Sequence, residues 1–246
     1  MFLGYNLNET KIIKFVVELG YKVFHSNEVL ESIEGFDLIV SFGYRHIIDG
    51  AKLKPDMNIV NIHLSYLPWN KGSHPNFWAH WDGTPSGVTI HKIDEGLDTG
   101  NIVFQKITQF EKDENTFALT YERLFKDAEE VFINNFQSLL EKRYIEFKQR
   151  NAGSFHKVSD LPKDFSGWHT PILEEIERLE KLGFNPHKKF LDLIDAIESA
   201  RSINNLNWMD LLRVVAKISP SDLQKITKKI HEQDVEILNL FKQLAE

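Results

Sequence analysis

The 246-residue chain has no cysteine, which excludes disulfides, thiolate nucleophiles, Cys-ligated zinc and iron–sulfur clusters together. It has no apolar run near the roughly 20 residues that a membrane-spanning helix needs, so no membrane partner is expected. The opening Met1-Phe2-Leu3-Gly4-Tyr5-Asn6 lacks a basic stretch followed by an apolar core and does not read as a signal peptide. A cytoplasmic setting is the expectation. Positive charge is also in short supply: 29 Lys and Arg stand against 36 Asp and Glu, a net of −7. That is a poor field for a nucleic acid, and none is expected as a partner. G-x-G-x-x-G, the P-loop pattern, H-E-x-x-H and G-x-S-x-G are all missing, so dinucleotide binding, P-loop chemistry, helix-borne zinc and a serine elbow lose their usual signatures. No metal is expected.

What is present is ordinary for a globular protein, with 42% hydrophobic and 26% charged residues. Ten of the 13 glycines precede residue 101, which makes the first part turn-rich. There, Phe2–Tyr5, Tyr21–His25, Phe36–Phe42, Asn58–His63, Ser86–His91 and Ile102–Phe110 read as strands, many of them β-branched. Thr10–Leu19 and Thr116–Lys142 read as helices. Alternation of this kind predicts an α/β fold with a mostly parallel sheet flanked by helices. From about residue 171 the signal turns helical, over 172–182, 190–200, 208–218 and 221–244. Ser219-Pro220 gives a helix start, with Ser219 as N-cap. Leu223, Ile226, Ile230, Ile237, Leu240 and Leu244 form a stripe suited to a neighbouring helix or a second subunit.

Residues with chemical capacity gather between 58 and 101. Asn61 and His63, two apart on a predicted strand, project from one face. One offers an amide donor and the other a base that titrates near neutrality. Asp98, on a Gly-flanked loop, is placed to fold back on His63, and the three together suit acyl transfer to an amine. Taken singly each residue is bland: Asn-x-His is common, and Asp98 beside Gly100 also suits a plain turn. His74, His80 and His91 match no metal-ligand spacing and read as structural or surface residues. Ser65 through Trp78 reads as a loop rich in turn formers and aromatics.

The ordered set Asn61-Ile62-His63, Ser65-Tyr66-Leu67-Pro68, Gly72, Gly87-Val88-Thr89-Ile90-His91 and Asp98-Thr99-Gly100 resembles the 10-formyltetrahydrofolate-dependent formyltransferases. The resemblance covers about residues 1–155. It implies a Rossmann-like catalytic domain over 1–155, and the helical signal beyond it gives a mainly helical C-terminal extension over 156–246. It also implies Asn61, His63 and Asp98 as catalytic residues and 10-formyltetrahydrofolate as co-substrate. Gly43, Tyr44, Arg45, His46, Ile47 and Ile48 are similar to the family's pterin-binding loop, and Glu95, Gly96 and Leu97 to the opposite wall. Only 60 residues precede Asn61, so the first half of the core is expected to be abbreviated.

Residues 65–78 and Gly153-Ser154-Phe155-His156 resemble the sugar-nucleotide branch of that family. This implies a nucleotide-linked amino sugar as acceptor, with Ser65, Trp69, Lys71, Asn76 and Trp78 on the substrate side. Ser73 and His74 stand where the dTDP-sugar enzymes tend to carry bulky aromatics, which favours a UDP-linked 4-amino-4,6-dideoxy sugar of the pseudaminic acid type. A dTDP-linked amino sugar, initiator tRNA and a catalytically silent folate- or nucleotide-binding module are the alternatives. Residues 151–246 carry 13 basic and 15 acidic side chains, which weighs against tRNA. A homodimer is expected.

Overall fold

Two apolar runs, Ile39-Val40-Ser41-Phe42 and Ile59-Val60-Asn61-Ile62-His63, set the centre of the fold, because strands buried on both faces read as nearly continuous hydrophobic stretches. In a computed structural model, which describes residues 1–29, 32–48, 53–54, 57–150, 153–184 and 220–245, they form β3 (Ile39–Phe42) and β4 (Ile59–His63). Around them lie β1 (Phe2–Gly4), β2 (His25–Ser26), β6 (Gly87–Lys92) and β7 (Ile102–Ile107), in the order β2-β1-β3-β4-β6-β7. The pairs β1–β2, β1–β3 and β3–β4 are parallel, whereas β4–β6 and β6–β7 are antiparallel. The sheet is mostly parallel, as the alternating pattern predicts. Lys71–Gly72 (β5) and Phe155–His156 (β8) make a separate parallel ribbon that the sequence does not announce.

Helices cover one face. In α1 (Lys11–Glu18), Thr10 caps the first turn by accepting the Ile12 N–H at 3.3 Å, and Ile12 and Ile13 point inward. In α3 (Phe117–Leu140), Leu124, Ala128, Val131, Phe132, Phe136 and Leu139 fall three and four apart and pack on Val40, Phe42, Val60, Ile62, Val88 and Ile90. Burying each of the larger side chains contributes about 1.5–3 kcal/mol. The opposite face carries a smaller cluster of Leu3, Ile33, Ile39 and Ile59. It also carries the polar residues of β4.

Three expected elements change. The run Tyr21–His25 reaches the sheet only at His25, because Tyr21 N–H turns back to Val16 O as the chain leaves α1. The β7 strand stops before Phe110, since Thr108 turns aside to bond Asp127 at 2.7 Å. The supposed loop through Trp78 ends in a helix, α2 (Pro75–Trp81), with Pro75 at the first helical position, where it loses no bond. Among the described residues no helix lies between β2 and β3, in keeping with an abbreviated first half.

The chain divides into two units, Met1–Gly183 and Phe184–Glu246. The first runs beyond the boundary expected at 155: α4 (Ile172–Lys181) is tied in by Ile172 N–H to Asn115 O at 2.9 Å. In the second unit α5 spans Pro220–Ala245, with Ile237 and Leu240 half-buried and Val235, Leu238 and Phe241 exposed. Ser219 and the helices expected over 190–200 and 208–218 lie outside the described residues. No helix of the described residues is long and apolar enough to cross a membrane.

Candidate active site

Alternation along β4 puts Val60 and Ile62 into the helix-covered core and Asn61 and His63 on the other face. Sheet register then decides their neighbours. Asn61 stands opposite Ser41 on β3 and His91 on β6, and His63 stands opposite Thr89. Polar rows thus cross the sheet where a core would otherwise continue.

Asp98 reaches these rows from the loop between β6 and β7. Its backbone adopts φ +56°, a left-handed conformation tolerated by aspartate better than by most residues. Its carboxylate is 7% exposed and accepts Asn61 Nδ2–H at 3.2 Å on Oδ1 and Gly72 N–H at 2.8 Å on Oδ2. His91 Nε2 lies 3.4 Å from Oδ1 and His63 Nε2 3.7 Å from Oδ2. Burial pushes the Asp98 carboxyl up, but the His63 charge, the His91 ring and the Gly72 N–H outweigh it and hold the carboxyl well below the ordinary 3.8. Gly72 sits at φ +85°, and a Cβ there would come within 2.3 Å of His156 O. Only glycine brings this N–H to the carboxylate.

The structure therefore brings Asn61, His63 and Asp98 together, with a change in who holds whom. His63 Nε2 donates to Asn70 O at 3.0 Å, and Asp98 stays beyond hydrogen-bond reach of the ring. Because a carbonyl only accepts, Nε2 carries a proton and the neutral ring keeps its lone pair on Nδ1. His91 Nδ1–H donates to Lys92 O at 2.8 Å, leaving Nε2 to accept from Asn61 Nδ2 at 3.1 Å. Both hydrogens of the Asn61 amide are thus engaged. His91, read from the sequence as structural or surface, belongs to this cluster. The sign was in Thr89-x-His91, which repeats the polar alternation of Asn61-x-His63 inside an apolar strand.

The remaining expected residues fall into separate groups. On the expected pterin side, Tyr44 and Ile48 pack with Ile93 against the Leu3, Ile33, Ile39 and Ile59 cluster. Gly43, Arg45, His46, Glu95 and Gly96 are exposed, and Ile47 and Leu97 expose 89% and 50% of their surface. On the expected substrate side, Trp69 and Lys71 are half-buried. Ser65, Asn76 and Trp78 are buried, as His63 and Asp98 are. Ser65 donates to Trp69 O, and Asn76 Nδ2 donates to Phe117 O at 2.8 Å and Thr120 Oγ1 at 3.1 Å. Trp78 stacks on His156 with centroids 4.0 Å apart. These residues tie α2 and its loop to the protein.

The sequence profile described as formyl transferase matches residues 19–135. The crystal structure of the formyltransferase PseJ from Anoxybacillus kamchatkensis, in complex with UDP-4,6-dideoxy-4-formamido-L-AltNAc and tetrahydrofolate, is 33% identical with a TM-score of 0.65. That match covers 70% of this chain and 95% of that one. The dTDP-4-amino-4,6-dideoxyglucose formyltransferase of Mycobacterium bovis is 29% identical over 155 residues, 63% of this chain and 60% of its own. A methionyl-tRNA formyltransferase of Agathobacter rectalis is 26% identical over 194 residues, 74% of this chain and 61% of its own. The chain thus spans about 60% of the length of these two curated relatives.

Proposed function

Because the chain belongs to the formyl transferase family, we propose that it transfers a formyl group from 10-formyltetrahydrofolate to the primary amine of a nucleotide-linked 4-amino-4,6-dideoxy sugar. The convergence of Asn61, His63, His91 and Asp98 on one sheet face carries the reading. A mere binding protein needs neither the imidazole nor the carboxylate.

The folate side is supported by an apolar surface. Ile47 and Leu97 are uncovered, and Tyr44, Ile48 and Ile93 rise from one hydrophobic cluster, a surface that suits a flat pteridine. When bound, 10-formyltetrahydrofolate supplies the formyl carbon and accepts at N10 the proton that the amine gives up. The protein's own residues do the rest. Asn61, held at rest by His91 and Asp98, gives up one of those two bonds and donates the freed Nδ2–H to the reacting carbonyl. His63 takes the proton from the attacking nitrogen and returns it to the leaving side. Asp98, kept ionised, stabilises the imidazolium that forms between those steps.

For the acceptor, the match to nearly the whole of PseJ supports UDP-4-amino-4,6-dideoxy-L-AltNAc. The mycobacterial relative supports a dTDP-linked 4-amino sugar as the second reading. Lys71 is the proposed diphosphate contact and Trp69 the proposed wall for sugar or base. A homodimer in the cytoplasm completes the reading, supported by the exposed Leu238 and Phe241 on α5; light scattering checks the mass. The decisive experiment incubates the protein and 10-formyltetrahydrofolate with UDP- and dTDP-linked 4-amino sugars and with initiator Met-tRNA, and reads products by mass spectrometry. A formylated UDP-sugar with released tetrahydrofolate is expected. A formylated dTDP-sugar alone replaces the nucleotide, a formylated tRNA replaces the acceptor class, and no tetrahydrofolate from any arm ends the reading.

A further inference from the structure

The segment that follows α3 touches both loops of the site. At one end, Gln149 Nε2 donates to Asp98 O at 2.9 Å and to Gly100 O at 2.8 Å. These are the carbonyls on either side of the turn in which Asp98 holds its left-handed backbone. Two carbonyls can only accept, so the amide nitrogen must face them, and the opposite atom, Gln149 Oε1, is buried without a partner. Phe147 anchors this end by a reciprocal pair of 2.8 Å backbone bonds to Ile102.

At the other end, Ser154 Oγ accepts Asn70 N–H at 2.8 Å and donates to Asn70 Oδ1 at 2.9 Å. Asn70 is wholly buried, sits at φ +55°, and presents to His63 the carbonyl that orients the ring. Lys71 N–H to Ser154 O at 3.0 Å and Ser73 N–H to His156 O at 2.8 Å zip the same loop to β8. Gly153 allows the approach, since a Cβ there would lie 1.8 Å from Pro68 O.

We infer that Gln149 and Ser154 are positioning residues of the site, Gln149 acting through Asp98 and Ser154 acting through Asn70 on His63. Each thereby holds one of the two groups in place, though neither residue touches the reacting atoms. This rests on the formyl-transfer reading.

The test is a pair of double-mutant cycles on the full chain. Gln149→Met keeps the shape and removes both donors; Ser154→Ala removes the hydroxyl, and Ser154→Thr restores it. Gln149→Met and Ser154→Ala are each expected to lower kcat about 10- to 100-fold with both KM values little changed, as displacement of a catalytic group by about an ångström does. In an Asp98→Asn background Gln149→Met should cost less than about twofold, and in a His63→Ala background Ser154→Ala likewise, since a residue acting through a lost group has nothing left to position. Ser154→Thr should recover most of the rate. Losses that multiply in those backgrounds, or that follow the fall in Tm, overturn the inference. The 15N shifts of the His63 ring give a readout independent of turnover: a ring protonated at Nε2 in the wild type should become a tautomer mixture in Ser154→Ala. An unchanged ring in that variant overturns the inference even where turnover is lost, and a changed ring in a protein that formylates nothing leaves the hold standing while the formyl-transfer reading falls.

Discussion

The Nε2–H of His63 points at the main-chain carbonyl of Asn70, 3.0 Å away, and not at Asp98, whose nearest oxygen lies 3.7 Å off. The ring is therefore oriented by a loop backbone, and the carboxylate acts on it through charge. That division separates what each substitution should do.

Asn61→Ala removes an amide that bonds both His91 and Asp98. Loss of a donor aimed at a developing oxyanion costs about 100- to 1,000-fold in kcat, and that range is expected here in a tetrahydrofolate-release assay. His63→Ala and Asp98→Asn should be at least as severe. Near-normal turnover in either would remove the catalytic assignment.

The Asp98 carboxyl titrates below its ordinary value in the folded protein, so the folded state binds its proton less readily than the unfolded chain does. Its contribution to stability is then complete above the unfolded value of about 3.9 and is lost as pH falls from there toward the folded value. The stability lead of wild type over Asp98→Asn should be present above about pH 5 and should begin to fall below about pH 4. A difference that already shrinks between pH 7 and 6 would place the titration on another group.

Much of this was legible before any coordinates. The apolar runs at 36–42 and 58–63 read as buried strands, which form over Ile39–Phe42 and Ile59–His63, and the amphipathic pattern over 116–142 reads as the helix that lies on them. Asn61 and His63 share a face by the pleat alone. What strand registers and loop closures decide was not legible. His91 joins the site because it pairs with Asn61 across two strands some 30 residues apart in sequence. Asn70 matters through its backbone carbonyl, and Gln149 and Ser154 through side chains whose partners only the closure of the loops decides.

His91 gives a prediction that the sequence reading would not have made. His91→Leu leaves one Asn61 N–H buried with no acceptor, a loss of about 1–3 kcal/mol in urea denaturation. It also frees the amide to turn, so kcat should fall along with stability. His91→Gln supplies an acceptor oxygen and should recover part of both. A His91→Leu protein as stable and as active as wild type would return His91 to the purely structural role first given to it.

Asn76 and Trp78 should behave in the opposite sense to Lys71. Asn76 Nδ2 ties α2 to the start of α3 through Phe117 O and Thr120 Oγ1, and both acceptors are buried with it. Asn76→Ala should cost about 1–3 kcal/mol of stability. Trp78→Ala, which empties the space stacked on His156, should cost about 3–5 kcal/mol. Both side chains are bonded or stacked within the protein, so the KM for the amine substrate should stay within about twofold of wild type, as expected when no binding contact is lost. Lys71→Ala, at a half-buried position on β5, should raise that KM several-fold more than either of them does. If Asn76→Ala instead raises KM at unaltered stability, the amide faces substrate during turnover, and the loop from 65 to 78 must open to let it do so.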